Sequence, residues 1–441
     1  MKVNTLSDIF TNFTNEPVEI SQLVNLYVSA VKGRGDNPTK EMQLRLEYST
    51  KPIKILFAGY RGCGKSTELN KLQFEIQTKF SVLNYSIMEE SDPINLTYIE
   101  LFIITMEKLF ELAEKEHFDI RKEYIDSIKG WLSSKEIQEI RDSYIGLDSE
   151  LGSETQFSIP WLQKFFFKLK IAGKTSKNFK EILKQNVEPR LSELIFHCNT
   201  LIEEIRIAGR KRGFKDVLII VEDLDKIPID RAESLFFNYA SQLTQLQASV
   251  IFTFPITLLY NQKFNIIRQY FDYDFELPMI KVNNKDGSSN AEGRDILRTI
   301  VERRMDLALF AKPENLETLI GYSGGCLRDL FRMILESASN ALISENDKIE
   351  ETDIQKGILR LKNDYSNTIS DNRKADKTFI SAKQYFETLV AVVNDVSKHP
   401  ENTEALLDLR QNLCVLGYNS ENWCDVHPLV KDILKDRGLL S

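Results

Sequence analysis

The chain is poor in the residues that build metal sites and disulfide frameworks. Its 441 residues include only four histidines and five cysteines, and none of the cysteines forms a CxxC pair. The cysteines are Cys63, Cys198, Cys326, Cys414 and Cys424. Zinc sites and disulfide-rich secreted domains need closely spaced pairs, so this pattern favours reduced thiols in a cytoplasmic protein.

Long apolar runs and an excess of positive charge are also missing. No stretch of about eighteen apolar residues occurs, which predicts that no helix spans a membrane. The N-terminal MKVNTLSDIF has neither an unbroken apolar stretch nor a small-residue cleavage site, so we expect no signal peptide. The formal net charge of -8 argues against a dedicated nucleic-acid binder, although a local basic face stays open.

The apolar residues that are present predict an α/β protein. Short apolar runs of strand type occupy residues 53–58, 81–86, 217–221 and 249–254, with helical patterns between them. The order strand, helix, strand is typical of a parallel sheet. With 42% hydrophobic residues over this length, several domains are expected.

The predicted organisation has four parts. Residues 1–50 form an N-terminal helical segment, and residues 51–285 form the sheet-containing core, interrupted by a helical insertion at 105–212. Residues 290–368 are predicted to be a helical lid, and residues 376–441 a C-terminal module of helices followed by a hairpin near Asn419 and Ser420. The segment 33–38 is predicted to be a turn or linker because it contains two glycines and ends in a proline.

A glycine-rich stretch follows the first strand and fits G-x-x-x-x-G-K-[ST] at every fixed position. We call it the phosphate loop; it consists of Gly59, Tyr60, Arg61, Gly62, Cys63, Gly64, Lys65, Ser66 and Thr67. Glycines let the backbone N–H groups wrap round a phosphate, and the start of the following helix favours an anion. Lys65 is predicted to reach the β- and γ-phosphates, and the Ser66 hydroxyl to bind Mg²⁺.

Carboxylates follow the apolar run 217–221, at the end of a strand where an open α/β sheet places its ligands. We expect Glu222 to hold the metal and its water shell, and Asp223 to polarise the attacking water. The order of the two acids is unusual, because Asp ordinarily comes first. Asp225 is therefore a spare candidate for either role, and nucleotide binding is a safer prediction than fast turnover.

Over about residues 50–365, these segments resemble the P-loop ATPases of the AAA+ and STAND/KAP groups. GYRGCGKST and IIVEDLDK resemble their two Walker motifs, and SGGCLRDLFRMI is similar to the lid motif that carries a second sensor arginine, here Arg328. The lid is most similar to that of origin-recognition ATPases. The resemblance implies ATP as the nucleotide, with Mg²⁺; no residue pattern here separates ATP from GTP.

The resemblance also implies roles for two further residues, each with a plain alternative. Thr253 takes the place of the family's first sensor, or is simply a strand residue. Arg268 takes the place of an arginine finger that a neighbouring subunit would receive, or is a surface arginine in a salt bridge. Three other arginines are expected to be solvated: Arg303, Arg304 and Arg332.

The C-terminal module resembles a winged helix, with three helices expected before the hairpin. Winged helices bind DNA in replication-initiation ATPases, but in STAND proteins a similar module packs against the ATPase. The helix expected at 404–410 carries two acids and one base, which favours a protein contact over a DNA groove. Trp423 and His427 are expected in the core.

Three functional hypotheses remain at this point. The first is an ATP-hydrolysing switch that couples nucleotide state to assembly or recruitment of a protein partner; the resemblance alone suggests prokaryotic anti-phage defence or stress signalling. The second is an ATP-dependent DNA-binding initiator or regulator. The third is a pseudo-ATPase that binds nucleotide without hydrolysing it, as the unusual acid order allows.

Overall fold

A computed structural model describes residues 2–132, 134, 159–374, 378–418 and 423–440. Its centre is a five-stranded sheet with the order β2-β3-β4-β1-β5, in which every neighbouring pair is parallel. The strands are β1 (Lys54–Gly59), β2 (Phe80–Ser86), β3 (Asp216–Glu222), β4 (Ser249–Phe254) and β5 (Tyr273–Leu277). The predicted α/β class with a parallel sheet is confirmed.

Burial follows strand position. Every residue of β1 and β4 is buried, and β3 is buried except at Asp216, because helices cover both faces of these strands. The edge strand β5 is mostly half-buried. The buried β1 runs between β4 and β5 and delivers its carboxyl end directly to the phosphate loop.

The N-terminal segment consists of short helices that join the core to the lid. Its backbone N–H groups make contacts with both parts: Val3 N–H donates to Arg304 O at 3.0 Å, and Val18 N–H donates to Thr67 Oγ1 at 3.1 Å. The first five helices are α1 (Ile9–Asn12), α2 (Leu23–Leu26), α3 (Val31–Arg34), α4 (Pro38–Tyr48) and α5 (Lys65–Ile76).

The insertion lies within the connection from β2 to its neighbour β3, and the described residues of this connection are mostly helical. The long second helix starts at a capping box in which Thr97 and Glu100 exchange hydrogen bonds with each other's backbone. The helices are α6 (Ile87–Glu90), α7 (Tyr98–Lys115), α8 (Lys122–Leu132), α9 (Ile159–Thr175), α10 (Lys177–Val187) and α11 (Leu191–Arg210). Four short helices follow in the core: α12 (Ile229–Glu233), α13 (Ala240–Leu243), α14 (Ile256–Leu259) and α15 (Phe264–Arg268).

The lid is built from α16 (Ala291–Glu302), α17 (Pro313–Ser323), α18 (Leu327–Ile343) and α19 (Glu351–Thr368). None of the helices in the described ranges combines the length and apolarity needed to cross a bilayer.

Among the described residues of the C-terminal module, two helices precede the hairpin, where the sequence predicted three. Its elements are β6 (Asn372–Arg373), β7 (Phe379–Ile380), α20 (Ala382–Asn394), α21 (Glu404–Gln411), β8 (Val415–Tyr418), β9 (Trp423–Val426) and α22 (Pro428–Asp436). Helix α20 ends at Asn394, and a turn follows it. In this turn the Asp395 carboxylate accepts hydrogen bonds from the N–H groups of Ser397 and His399. Strands β8 and β9 pair antiparallel; the predicted turn at 419–422 lies outside the described residues.

Candidate phosphate-binding site

The phosphate loop links β1 to α5 through two glycines in the left-handed region. Gly62 has φ 79° and Gly64 has φ 99°, conformations that residues with a Cβ rarely adopt. Gly64 is the N-cap of α5, so the helix begins at Lys65 with its free N–H groups directed toward the loop.

Lys65 is buried and all of its ammonium protons have acceptors. Its Nζ donates to Gly59 O at 2.7 Å and Tyr60 O at 3.0 Å, and lies 2.9 Å from Asp225 Oδ2. Burial alone would lower the pKa of Lys65, but the Asp225 carboxylate raises it above its usual value. Asp225, the spare acid of the sequence, is therefore the carboxylate that faces the lysine.

Glu222 ends β3 and is buried beside Ser66. Burial raises the pKa of Glu222 to about 7, although side-chain hydrogen bonds with Ser66 and Asn84 act to lower it. The Ser66 hydroxyl and the Glu222 carboxylate thus form a close pair of oxygen donors, the ligand type that a hard divalent cation prefers. Asn84, on the neighbouring strand β2, had not been singled out from the sequence.

Asp223 takes a left-handed backbone conformation, with φ 69°, immediately after β3. Its Oδ2 accepts from Ser86 Oγ at 2.5 Å, and its Oδ1 lies 2.6 Å from Lys226 Nζ. Asp223 and Asp225 both line the cavity beside the loop, together with Lys226. The structure therefore brings the predicted loop and the acidic segment to one place.

The cavity, of about 150 Å³, is enclosed by three parts of the chain. The N-terminal segment contributes Pro17 and Tyr27, and the lid contributes Arg328 and Phe331. Besides the polar groups of the loop and the acids, the lining includes apolar side chains, which suit the base of a nucleotide. These apolar residues include Leu26, Val28, Ile280, Ile300 and Phe331.

The start of α18 brings Arg328 to this cavity. Leu327 N–H donates to Gly62 O at 3.1 Å, and a Cβ added at Gly62 would lie 2.7 Å from Arg328 Cβ. The lid is therefore in direct contact with the phosphate loop, and half-buried Arg328 lines the cavity; its sensor role stays a prediction.

Thr253 and Arg268 do not line the cavity. The buried Thr253 Oγ1 accepts from Leu224 N–H at 3.0 Å and donates to Val221 O at 3.3 Å, which ties β4 to the end of β3. Arg268 is 61% exposed and its Nε lies 2.8 Å from Asp274 Oδ1. These placements match the plain alternatives; the sensor and finger roles stay predictions.

Two arginines make buried contacts that the sequence did not indicate. Arg34, in the expected linker, is buried, and it donates to Cys63 O at 2.7 Å and to Pro278 O. The one sequence feature that indicated a special role for Arg34 was its position between two glycines.

Arg304, expected to be solvated, is buried against the lid. Its guanidinium stacks 5.1 Å from the Phe331 ring centroid and donates to Ile300 O at 2.9 Å. Burial lowers the pKa of Arg304 to about 10. The contacts with an aromatic face and a helix carbonyl replace the water that the prediction assumed.

No family model matches the chain, and no curated protein matches its sequence. Among solved structures, the ORC1 protein of Aeropyrum pernix in complex with DNA superposes with a TM-score of 0.41 at 10% identity, covering 96% of this chain and 98% of that chain. Cdc6p from Pyrobaculum aerophilum gives 0.39 at 12% identity, covering 94% and 98%. The RuvB Holliday junction branch migration motor of Thermotoga maritima gives 0.34 at 10% identity, covering 96% and 98%. Likenesses at this level assign neither an activity nor a partner to this chain.

Proposed function

We propose that this chain binds ATP with Mg²⁺, hydrolyses it, and uses the nucleotide state to set the positions of its lid and C-terminal module. The observation that carries the proposal is that residues from separate parts of the chain line the same cavity. Lys65, Asp223 and Arg328 come from the loop, the end of β3 and the lid, and they line one cavity that the N-terminal segment closes. Glu222 lies beside Ser66, which also lines this cavity.

The residues present fit a triphosphate. The loop offers backbone N–H groups at the start of α5, and Lys65 offers a buried ammonium. A bound phosphate would replace Asp225 as a partner of that ammonium. The apolar side chains that line the cavity would accept the base. The choice of ATP over GTP rests on the family resemblance.

The residues also fit a magnesium ion. Ser66 and Glu222 would hold it, and bound magnesium would neutralise charge on the phosphates. Asp223, which already accepts hydrogen bonds at the cavity wall, would orient water for attack. Should Asp223 lack this role, the chain would bind nucleotide as a pseudo-ATPase.

A switch is favoured over the DNA-binding alternative by the position of α21. In a winged helix, the helix before the hairpin is the one that enters a DNA groove. Here that helix packs on α14 of the core, where Thr257 Oγ1 donates to Gln411 Oε1 at 3.1 Å. Its Asp408 is paired with Lys374 at 2.9 Å.

Protein partners, self-association and biological role are further parts of the proposal. Arg268 is exposed, as a finger supplied to a neighbouring copy must be, and would have to leave Asp274 to act. A cytoplasmic location and a part in anti-phage defence or stress signalling rest on the family resemblance.

The test compares binding with turnover in matched variants. We expect Lys65→Ala to abolish ATP binding, since it removes the ammonium of the loop. Asp223→Asn should keep binding while turnover falls by roughly 10²–10⁴-fold, the usual contribution of a general base. Unchanged turnover in Asp223→Asn would overturn the base assignment.

Particle size in solution, with and without ATP and Mg²⁺, tests the switch. A nucleotide-dependent change in assembly supports it. Nucleotide-dependent retention of DNA that weakens steeply with salt would instead support the DNA-binding alternative.

A further inference from the structure

One side chain of the phosphate loop points out of the cavity and into the C-terminal module. Tyr60 is wholly buried, and its hydroxyl accepts a hydrogen bond from Arg410 Nη1 at 2.6 Å. Gly417 on β8 allows this close approach, because a Cβ there would lie 2.8 Å from the Tyr60 hydroxyl oxygen. The module is thus fitted around a residue of the loop itself.

Arg410, on α21, is an unusual residue to bury. Only 2% of it is exposed, and its guanidinium lies 4.2 Å from the centroid of the Tyr260 ring. Tyr260 in turn donates to Glu276 Oε2 at 2.8 Å. Within the described ranges no carboxylate forms an ion pair with Arg410, so its direct partners are two tyrosines. Burying a cation without a paired carboxylate costs free energy, so the contacts of Arg410 with the two tyrosines have to be kept in place.

The other end of Tyr60 faces the phosphate site. Its backbone carbonyl accepts from Lys65 Nζ at 3.0 Å, next to the Gly59 carbonyl at 2.7 Å. Tyr60 therefore contacts Arg410 through its hydroxyl and Lys65 through its carbonyl. A shift of the module that moved Arg410 would move the residue that seats the loop ammonium.

We propose that Arg410 is a positioning residue for the phosphate loop: through Tyr60 it holds Lys65 where a phosphate binds, so that the C-terminal module is part of the nucleotide site. The proposal rests on the nucleotide binding proposed above and adds a named route for coupling. Because coupling between two sites is reciprocal, bound nucleotide tightens docking of the module, and a docked module tightens nucleotide binding.

The experiment measures the dissociation constant for ATP with Mg²⁺ and the unfolding of the nucleotide-free protein in the same variants. Tyr60→Phe and Arg410→Met should each weaken binding by roughly tenfold, the effect of losing one hydrogen bond to a charged group. The double variant should bind no more weakly than Arg410→Met alone, because the two residues act as one unit. Arg410→Lys, which keeps the charge, should recover part of the affinity.

Tyr385→Phe is the matched control within the module. Its hydroxyl donates to Asp408 Oδ2 at 2.7 Å and has no contact with the loop. This variant should lower stability and leave the dissociation constant unchanged.

The outcomes separate the two proposals. A wild-type chain that binds no nucleotide defeats the proposed function. A wild-type chain that binds, with Lys65→Ala inactive but Tyr60→Phe and Arg410→Lys binding like wild type, defeats the positioning role, as do losses that multiply in the double variant. If Arg410→Met does not fold, Tyr60→Phe and Arg410→Lys decide the matter.

Discussion

The C-terminal module and the helical insertion both bury charged side chains, but these charges reach different places. In the insertion, Lys170 of α9 pairs with Glu90 of α6 and, at 3.4 Å, with Glu107 of α7. Lys180 of α10 pairs with Glu100 at 2.8 Å. Each pair joins one insertion helix to another.

The module's buried basic side chains contact other parts of the fold. Arg410 contacts the phosphate loop, and His427 Nε2 lies 3.2 Å from Asp329 Oδ2 at the start of the lid helix α18. Tyr365 donates to the same Asp329 oxygen at 2.6 Å. Burial alone would raise the pKa of Asp329, yet the contacts with His427 and Tyr365 hold it below its usual value.

Asp329 immediately follows the cavity residue Arg328, so the module contacts both the phosphate loop, at Tyr60, and the start of the lid helix that carries Arg328. Burial of a charge is therefore a poor guide to function by itself. What distinguishes the two regions is whether the partner of the charge belongs to the site, and that difference can be tested.

The largest expected effect comes from a substitution that destabilises the insertion and leaves the candidate site unchanged. Lys170→Met removes one of the two lysines that pair with both Glu90 and Glu107, the other being Lys108. Because Lys108 stays, breaking this buried network should lower the free energy of unfolding by about 3 kcal/mol, the lower end of the range for a broken buried pair. The ATP dissociation constant, measured below the unfolding temperature, should stay at the wild-type value. Lys164→Met, at an exposed position of the same helix, is the control for stability. Weaker ATP binding in folded Lys170→Met would show that the insertion is coupled to the site after all.

Acid should destabilise the insertion through His197. Burial lowers the pKa of His197 to about 4, so the folded chain binds its proton less readily than the unfolded chain, whose histidine titrates near 6.5. The stabilisation is complete above the unfolded pKa and is lost as pH falls toward 4, by at most about 3 kcal/mol. Unfolding followed at several pH values measures this loss.

His197→Phe keeps a ring against Trp131, 5.6 Å away between centroids, and removes the titration. It should flatten the pH dependence over this window, whereas the exposed His117→Asn should not. An unchanged pH profile in His197→Phe would assign the acid sensitivity to other groups.

The sheet and the loop were accessible from the sequence because their determinants are local. The apolar run 217–221 lies inside β3, and the glycine spacing of the loop matches the two positive φ values at Gly62 and Gly64. The acid pair was placed correctly at the end of its strand. Which acid contacts which residue was not predicted, because the pairing of Lys65 with Asp225 depends on how two separate loops pack together.

The residues that reach the site from elsewhere were beyond local reasoning. Arg34 contacts the loop from 29 residues away and Arg410 from 350. Nothing in the neighbourhood of either arginine encodes its partner. Tyr60 shows the same limit: the motif leaves its position free, and only the packed module reveals why a large polar ring stands there.

The smallest expected effect gives the sharpest comparison, because it removes the same atom in both regions. Tyr418 of β8 donates its hydroxyl to Gly324 O, at the turn before Arg328, at 2.8 Å. Tyr85 of β2 bonds Thr105 Oγ1 of α7, also at 2.8 Å, where the insertion joins the sheet. Both hydroxyls are buried, so Tyr418→Phe and Tyr85→Phe should each cost about 1 kcal/mol of stability. Only Tyr418→Phe should weaken ATP binding, by roughly two- to fivefold, because its partner turn positions the lid arginine. The ATP dissociation constants of the two variants would be measured by titration at matched stability. Equal values would mean that the module's contact with the lid contributes to stability alone, as the insertion's contact with the sheet does.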